Sequence, residues 1–150
     1  MIVAFLGHRN LVKSKELYEK IKNAILSNTR NDETTKFYCG GYGNFDDLCA
    51  SVCRSIKERL DAEIVYVTPY ITENEQKKID SLIKLKLYDY SLYPPIEATP
   101  PKFAISKRNE WIVDKADLII AYVSHNYGGA YRSLLYAKRK NKTIIDLYHD

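Results

Sequence analysis

Phe37-Tyr38-Cys39-Gly40-Gly41-Tyr42-Gly43-Asn44-Phe45-Asp46-Asp47-Leu48-Cys49-Ala50 decides the fold. An apolar run feeds three glycines within four positions, and a helical pattern starts directly afterwards. A strand, a tight turn and a helix N-terminus read this way. Glycine admits positive φ and lets a ligand approach the main chain closely. The unpaired N–H groups of the following helix face the same space. One glycine turn is also the mark of an ordinary strand-to-helix connection, so the rest of the chain must show what else reaches this edge.

Working outward, Ile2–Leu6 is a continuous apolar strand of the kind buried on both faces, followed by Gly7-His8-Arg9. Leu17, Ile21, Ala24 and Ile25 form one stripe of a helix over about Ser14–Ser27, and Lys36–Cys39 is the strand that enters the glycine turn. The next helix starts near Phe45, with Asn44 as N-cap and Asp47 at N3, close to a capping box. Leu48, Val52, Ile56 and Leu60 give it a core-facing row. Glu63–Thr68 is a β-branched and aromatic strand, and Thr72-Glu73-Asn74-Glu75 is a capping box for a third helix. Lys86–Tyr93 has room for a short strand, and the prolines at 94, 95, 100 and 101 bracket a loop. A helix over about Phe103–Ala116, a buried strand over Asp117–Val123, the loop Ser124–Gly129, a helix over about Ala130–Lys140 and a strand over Thr143–Leu147 complete the chain. This alternation predicts a single domain over 1–150: a three-layer α/β sandwich with a mostly parallel sheet. In such sheets ligands bind beyond the carboxyl ends of the strands. Three strands here end in polar or glycine loops: Gly7–Arg9, Gly40–Asn44 and Ser124–Gly129.

Composition narrows the function classes. Of 150 residues 45% are hydrophobic and 28% charged, ordinary for a globular protein. No apolar run approaches the length of a bilayer span, and Met1–Leu6 lacks a basic leader and reads as a strand, so no membrane role and a cytosolic location are expected. A net charge of +4 is a mild excess for a nucleic-acid binder, and Lys138-Arg139-Lys140 with Lys142 reads as a solvated helix end. Three cysteines argue against a disulfide framework; Cys49 and Cys53 share a helix face but have no further partners at zinc spacing, so buried thiols and no metal are expected.

Gly7-His8-Arg9 after the first strand, the glycine turn ending in Asp46, Arg108-Asn109 ahead of the strand Asp117–Val123, and Gly128-Gly129 after it follow one another in order. With these motifs the chain resembles the SLOG superfamily, the Rossmann-like group that includes the DNA-processing protein DprA (Smf) and the LOG cytokinin-activating enzymes. It is most similar to the uncharacterised YpsA-like branch. The resemblance covers nearly the whole chain and implies a Rossmann-like, nucleotide-binding domain. DprA-type turns carry an arginine where this chain has Gly43, and a basic residue where it has Glu110. Phosphate contacts supply most nucleic-acid affinity, so these departures disfavour DNA as a partner. LOG-type hydrolases carry acids where this chain has Leu134 and Leu135, which removes their usual carboxylate.

The expected ligand-binding residues are Gly7, Arg9, Gly40, Gly41, Gly43, Asp46, Arg108, Asn109, Tyr127, Gly128 and Gly129. Arg9 and Arg108 offer guanidinium forks for a phosphate. Asp46 suits a ribose hydroxyl, because a carboxylate repels phosphate, and Asp46 or Asp47 is the candidate acid–base group. Asp47 suits the helix dipole. Turn geometry and ligand approach account equally for Gly128 and Gly129. Tyr127 is the candidate for stacking a base, whereas Trp111 and Tyr122 are read as core and His8 as packing. Arg108 caps no helix, so its part in the fold is expected to be small, with an ion pair to Asp46 as the alternative to a ligand clamp. The expected function is binding or sensing of a nucleotide-derived small molecule, without a cofactor. The alternative is hydrolysis of a nucleotide N-glycosidic bond, and weak single-stranded DNA binding ranks third. Tyr88–Tyr93 offers an apolar patch for self-association into a homo-oligomer.

Overall fold

The structure is a computed structural model that describes residues 1–149. Strands and helices alternate: β1 (Ile2–Gly7), α1 (Lys15–Asn28), β2 (Thr35–Cys39), α2 (Asn44–Ile56), β3 (Ala62–Val67), α3 (Glu73–Lys84), β4 (Tyr90–Leu92), α4 (Ala104–Lys115), β5 (Leu118–Tyr122), α5 (Gly129–Arg139) and β6 (Ile144–Asp146). All six strands are parallel, in the order β4-β3-β2-β1-β5-β6. This is the Rossmann-like three-layer sandwich that the alternation predicts. From β1 the chain winds outward to β4, then crosses back to lay β5 on the other side of β1. The winding reverses at β1, where Gly7 pairs in register with Tyr122, so a crevice opens beyond the carboxyl ends of β1 and β5.

Two cores sandwich the sheet because alternate strand residues face opposite ways. Val3, Phe5, Phe37 and Ile64 meet the apolar rows of α1, α2 and α3. Ala4, Leu6, Val65 and Ile119 meet Ile112 and Val113 of α4 and Leu134 and Ala137 of α5. The predicted stripes, Leu17-Ile21-Ala24-Ile25 and Leu48-Val52-Ile56-Leu60, are all buried. Each Leu, Ile or Val among them contributes roughly 1.5–3 kcal/mol on burial. Cys39, Cys49 and Cys53 are free and buried, and burial pushes the Cys49 and Cys53 thiols up, which keeps them protonated. Trp111 stacks on Tyr38 at 5.8 Å and Tyr122 on Phe45 at 6.4 Å, as core rings. Among the described residues no helix is long and apolar enough to cross a membrane.

Three local expectations change. The α2 N-cap is Gly43, not Asn44, and no side chain caps it. Asn44 turns away to donate its amide to the Leu11 carbonyl, while its N–H donates to the Arg9 carbonyl. Asp47 is thereby displaced from N3 and pairs with Lys13 at 3.6 Å. The Thr72 box forms only in half: Thr72 accepts from the Glu75 N–H at 3.2 Å, but the Glu75 carboxylate turns inward. The Tyr88–Tyr93 patch is narrower than expected: Tyr90–Leu92 form the edge strand β4 and stay half-buried. Tyr88 is 7% exposed, edge-on to Tyr66, and Tyr90 donates its hydroxyl to Glu63 at 2.9 Å.

Candidate ligand-binding site

A cavity of about 550 Å³ opens at the β1–β5 crevice. Phe5, Leu6, Ile105 and Ile112 give it an apolar floor. Gly7, His8 and Arg9 enter from the end of β1, Gly40, Tyr42 and Asp46 from the β2–α2 turn, Arg108 and Asn109 from α4, and His125, Tyr127, Gly128 and Gly129 from the β5–α5 loop. Four of the motifs that are separate in sequence therefore meet at one sheet edge. Its size and mix of apolar floor and polar rim fit a small organic ligand.

The β2–α2 turn is built tightly. A Cβ on Gly41 would lie 2.1 Å from the Tyr66 ring, and one on Gly43 would lie 2.6 Å from Arg9 Cα. Both residues also have positive φ, +72° and +102°. Packing and backbone conformation account for them, and neither borders the cavity, which corrects their expected place on its wall. Between them they project Tyr42, which the sequence reading missed. An aromatic residue held between two glycines in a ligand-facing loop is the signal that marks it. The Tyr42 hydroxyl donates to Glu75 at 3.3 Å, and its ring lies within 5.8 Å of Arg9, 5.5 Å of Arg108 and 4.5 Å of Lys78. Glu75 is buried and also accepts from Thr68 at 2.5 Å, so α3 anchors this wall.

Arg108 is only 2% exposed. Its Nη1 donates to the carbonyls of Gly40 at 2.9 Å and Val67 at 2.7 Å, and its Nε donates to Asn109 Oδ1 at 2.9 Å. It ties α4 to the ends of β2 and β3, so the expectation of a small fold role is overturned. The carbonyls at two strand ends have no further strand to pair with, and a buried guanidinium satisfies them. Burial lowers its pKa, while Asp46 supports the charge. A Cβ on Gly40 would lie 3.1 Å from both Arg108 Nη2 and Asp46 Oδ2, so a side chain there would push these groups by a few tenths of an ångström. Asp46 Oδ2 accepts from the Tyr42 N–H at 3.1 Å. Burial pushes its carboxyl up to about 6, against the pull of Arg108 and the Tyr42 N–H. Among the described residues Asp46 is the only carboxylic acid on the cavity wall.

The opposite wall is looser. His8 Nε2 accepts from the Ser124 N–H at 2.9 Å, joining the ends of β1 and β5, and burial followed by the nearby His125 lowers its pKa. It serves packing, as expected. His8, His125 and Tyr127 stack in sequence, with centroids 3.5 and 4.0 Å apart. Tyr127 is 68% exposed at the mouth. A Cβ on Gly128 or Gly129 would meet nothing within 4 Å; Gly128 has φ +88°, but Gly129 has no positive φ.

The fold and cleft define a Rossmann-like domain with a cavity at its topological switch point. No protein-family model matches the chain, and no curated protein matches it. Among solved structures it is similar to DNA processing protein A from Helicobacter pylori, a protein with a single-stranded DNA binding mode. The TM-score is 0.63 at 16% identity, over 97% of this chain and 64% of that one. It is likewise similar to DNA processing protein A (DprA) from Streptococcus pneumoniae, with a TM-score of 0.62 at 17% identity, over 96% of this chain and 49% of that one. The likeness is one of fold. The chain spans less than two thirds of the first neighbour and about half of the second. DprA chains belong to the SLOG superfamily.

Proposed function

We propose that residues 1–150 form a single SLOG-type domain, of the YpsA-like kind, that binds or senses a nucleotide-derived small molecule in this cleft. One observation carries the reading. Gly129 needs glycine neither for packing nor for a positive φ, yet it opens α5 on the wall of a cavity facing Arg108 and Asp46. A ligand passing against the main chain gives that glycine its reason. Arg9 is exposed at the mouth and takes a phosphate, Asp46 takes a ribose hydroxyl, and Tyr127 covers a base. Arg108 shapes the wall and supports the Asp46 charge.

A second reading draws on Asp46 alone. A carboxyl that titrates near 6 beside a cavity has the acidity of a general acid–base group, which favours N-glycosidic hydrolysis. Glycosidic bond cleavage generally uses two carboxyl groups. Leu134, where LOG-type enzymes carry an acid, is buried against β1 and β5. Binding without turnover is therefore the primary reading, and DprA-like DNA binding stays third. A thermal-shift screen of nucleotides with chromatography of the same mixtures decides between them. A stabilising nucleotide recovered intact supports binding, release of its free base supports hydrolysis, and no shift with any nucleotide overturns both.

A further inference from the structure

A second cavity, of about 560 Å³, opens between α4 and α5. It shares Arg9, Ile105, Asn109, Gly129 and Ser133 with the first, so the two form one cleft that turns at Gly129. Four cations border this arm: Arg9, Lys102, Arg132 and Arg139, all exposed. Among the described residues none of the four forms an ion pair. Among the described residues Glu110 is the only carboxylate on the wall, and Lys107 already matches it at 3.3 Å. The basic run expected to be a plain solvated helix end is thus divided. Lys142 is held by the carbonyls of Asp114 and Ala116, while Arg139 reaches the cavity and Lys138 and Lys140 do not.

Unpaired cations around a concavity repel one another and focus a positive field into it, where a polyanion relieves both effects. Guanidinium groups match phosphate oxygens bidentately. The open space at Gly129 gives a phosphate chain a route from one arm to the other, past the first N–H groups of α5. We infer that the α4–α5 cavity is an oligophosphate arm, so that the ligand is a nucleotide bearing a chain of two or more phosphates. This rests on the nucleotide reading of the first cavity.

The test uses calorimetric titration at constant physiological salt. The probes are inorganic phosphate, pyrophosphate and tripolyphosphate, the mono-, di- and triphosphates of adenosine, guanosine, cytidine and uridine, and single-stranded oligonucleotides of increasing length. Arg132→Gln/Arg139→Gln is compared with Lys138→Gln/Lys140→Gln, which removes the same charge from the same helix outside the cavity. Each added phosphate should tighten binding, and the arginine variant should lose about tenfold or more on tripolyphosphate, the scale of one lost charge-assisted hydrogen bond, while the lysine variant keeps its affinity. All four side chains are exposed, so both variants should melt like the parent. Equal losses in the two variants overturn the arm. Monophosphates that bind as well as triphosphates overturn it and leave the nucleotide reading standing. Tripolyphosphate bound through Arg132 and Arg139 with no nucleotide binding more tightly upholds the arm and overturns the nucleotide reading. Affinity that climbs with the length of a single-stranded oligonucleotide, past that of any triphosphate, overturns the compact ligand in favour of nucleic acid.

Discussion

The two glycine turns that flank the cleft look alike in sequence, and each opens its helix with a positive-φ glycine, Gly43 or Gly128, but they differ in packing. At the β2–α2 turn a methyl group on Gly41 would strike Tyr66 at 2.1 Å, and one on Gly40 would crowd Arg108 and Asp46 at 3.1 Å. At the β5–α5 turn a methyl group on Gly128 or Gly129 meets nothing within 4 Å. One turn is a packed wall whose glycines are required by neighbouring atoms and positive φ. The other faces empty space, and only its Gly128 is explained by φ. Glycine content therefore does not mark a ligand site. A glycine left without an internal reason is the better place to test for one.

The largest test of this contrast is Gly41→Val. It combines a strained left-handed backbone with overpacking against Tyr66, so a loss of roughly 4 kcal/mol is expected in chemical denaturation. A near-neutral result would show that the wall yields and would dissolve the distinction.

Next is Arg108→Ala, expected to lose roughly 3 kcal/mol because the Gly40 and Val67 carbonyls are left buried without a donor. Melting curves without any ligand check it. Full apo stability would return Arg108 to the role of a ligand clamp.

Asp46→Asn sharpens the electrostatics of the same wall. Its folded carboxyl is raised from 3.8 to about 6, so the folded protein holds this proton more tightly than the unfolded chain. That stability is complete below the ordinary carboxylate value and is lost as pH rises from about 4 to about 6. The variant should therefore exceed the parent by roughly 3 kcal/mol at pH 8, with the gap closing towards pH 4. A constant gap across that window would show that Asp46 titrates normally.

The smallest effect on stability is expected from Gly129→Ala, within about 0.5 kcal/mol, with loss of nucleotide binding in the same sample. Destabilisation comparable to Gly41→Val would make the two turns equivalent after all.

Much of this was legible in the chain. Leu17-Ile21-Ala24-Ile25 and Leu48-Val52-Ile56-Leu60 are core rows because a helix of 3.6 residues per turn brings every third or fourth residue to one face. Alternation of such rows with apolar strands leaves few arrangements other than a parallel sheet between helix layers. The gathering of Gly7-His8-Arg9, Gly40, Asp46, Arg108 and Gly128-Gly129 at one edge follows from that topology. Local patterns determine elements, and parallel winding determines which loops share an edge.

What only the tertiary structure decided depends on neighbours distant in sequence. Arg108 reads as a charged residue beside an apolar stripe, and the carbonyls that consume it lie 68 and 41 positions away. Tyr42 enters the wall because Glu75, 33 residues on, receives its hydroxyl. The α2 cap falls at Gly43 because Asn44 donates its side-chain amide to the Leu11 carbonyl and its N–H to the Arg9 carbonyl. Gly41 and Gly129 are the same residue type in similar motifs, and the positive φ of Gly41 and the Tyr66 ring packed against it, both lacking at Gly129, distinguish a required turn from an open one.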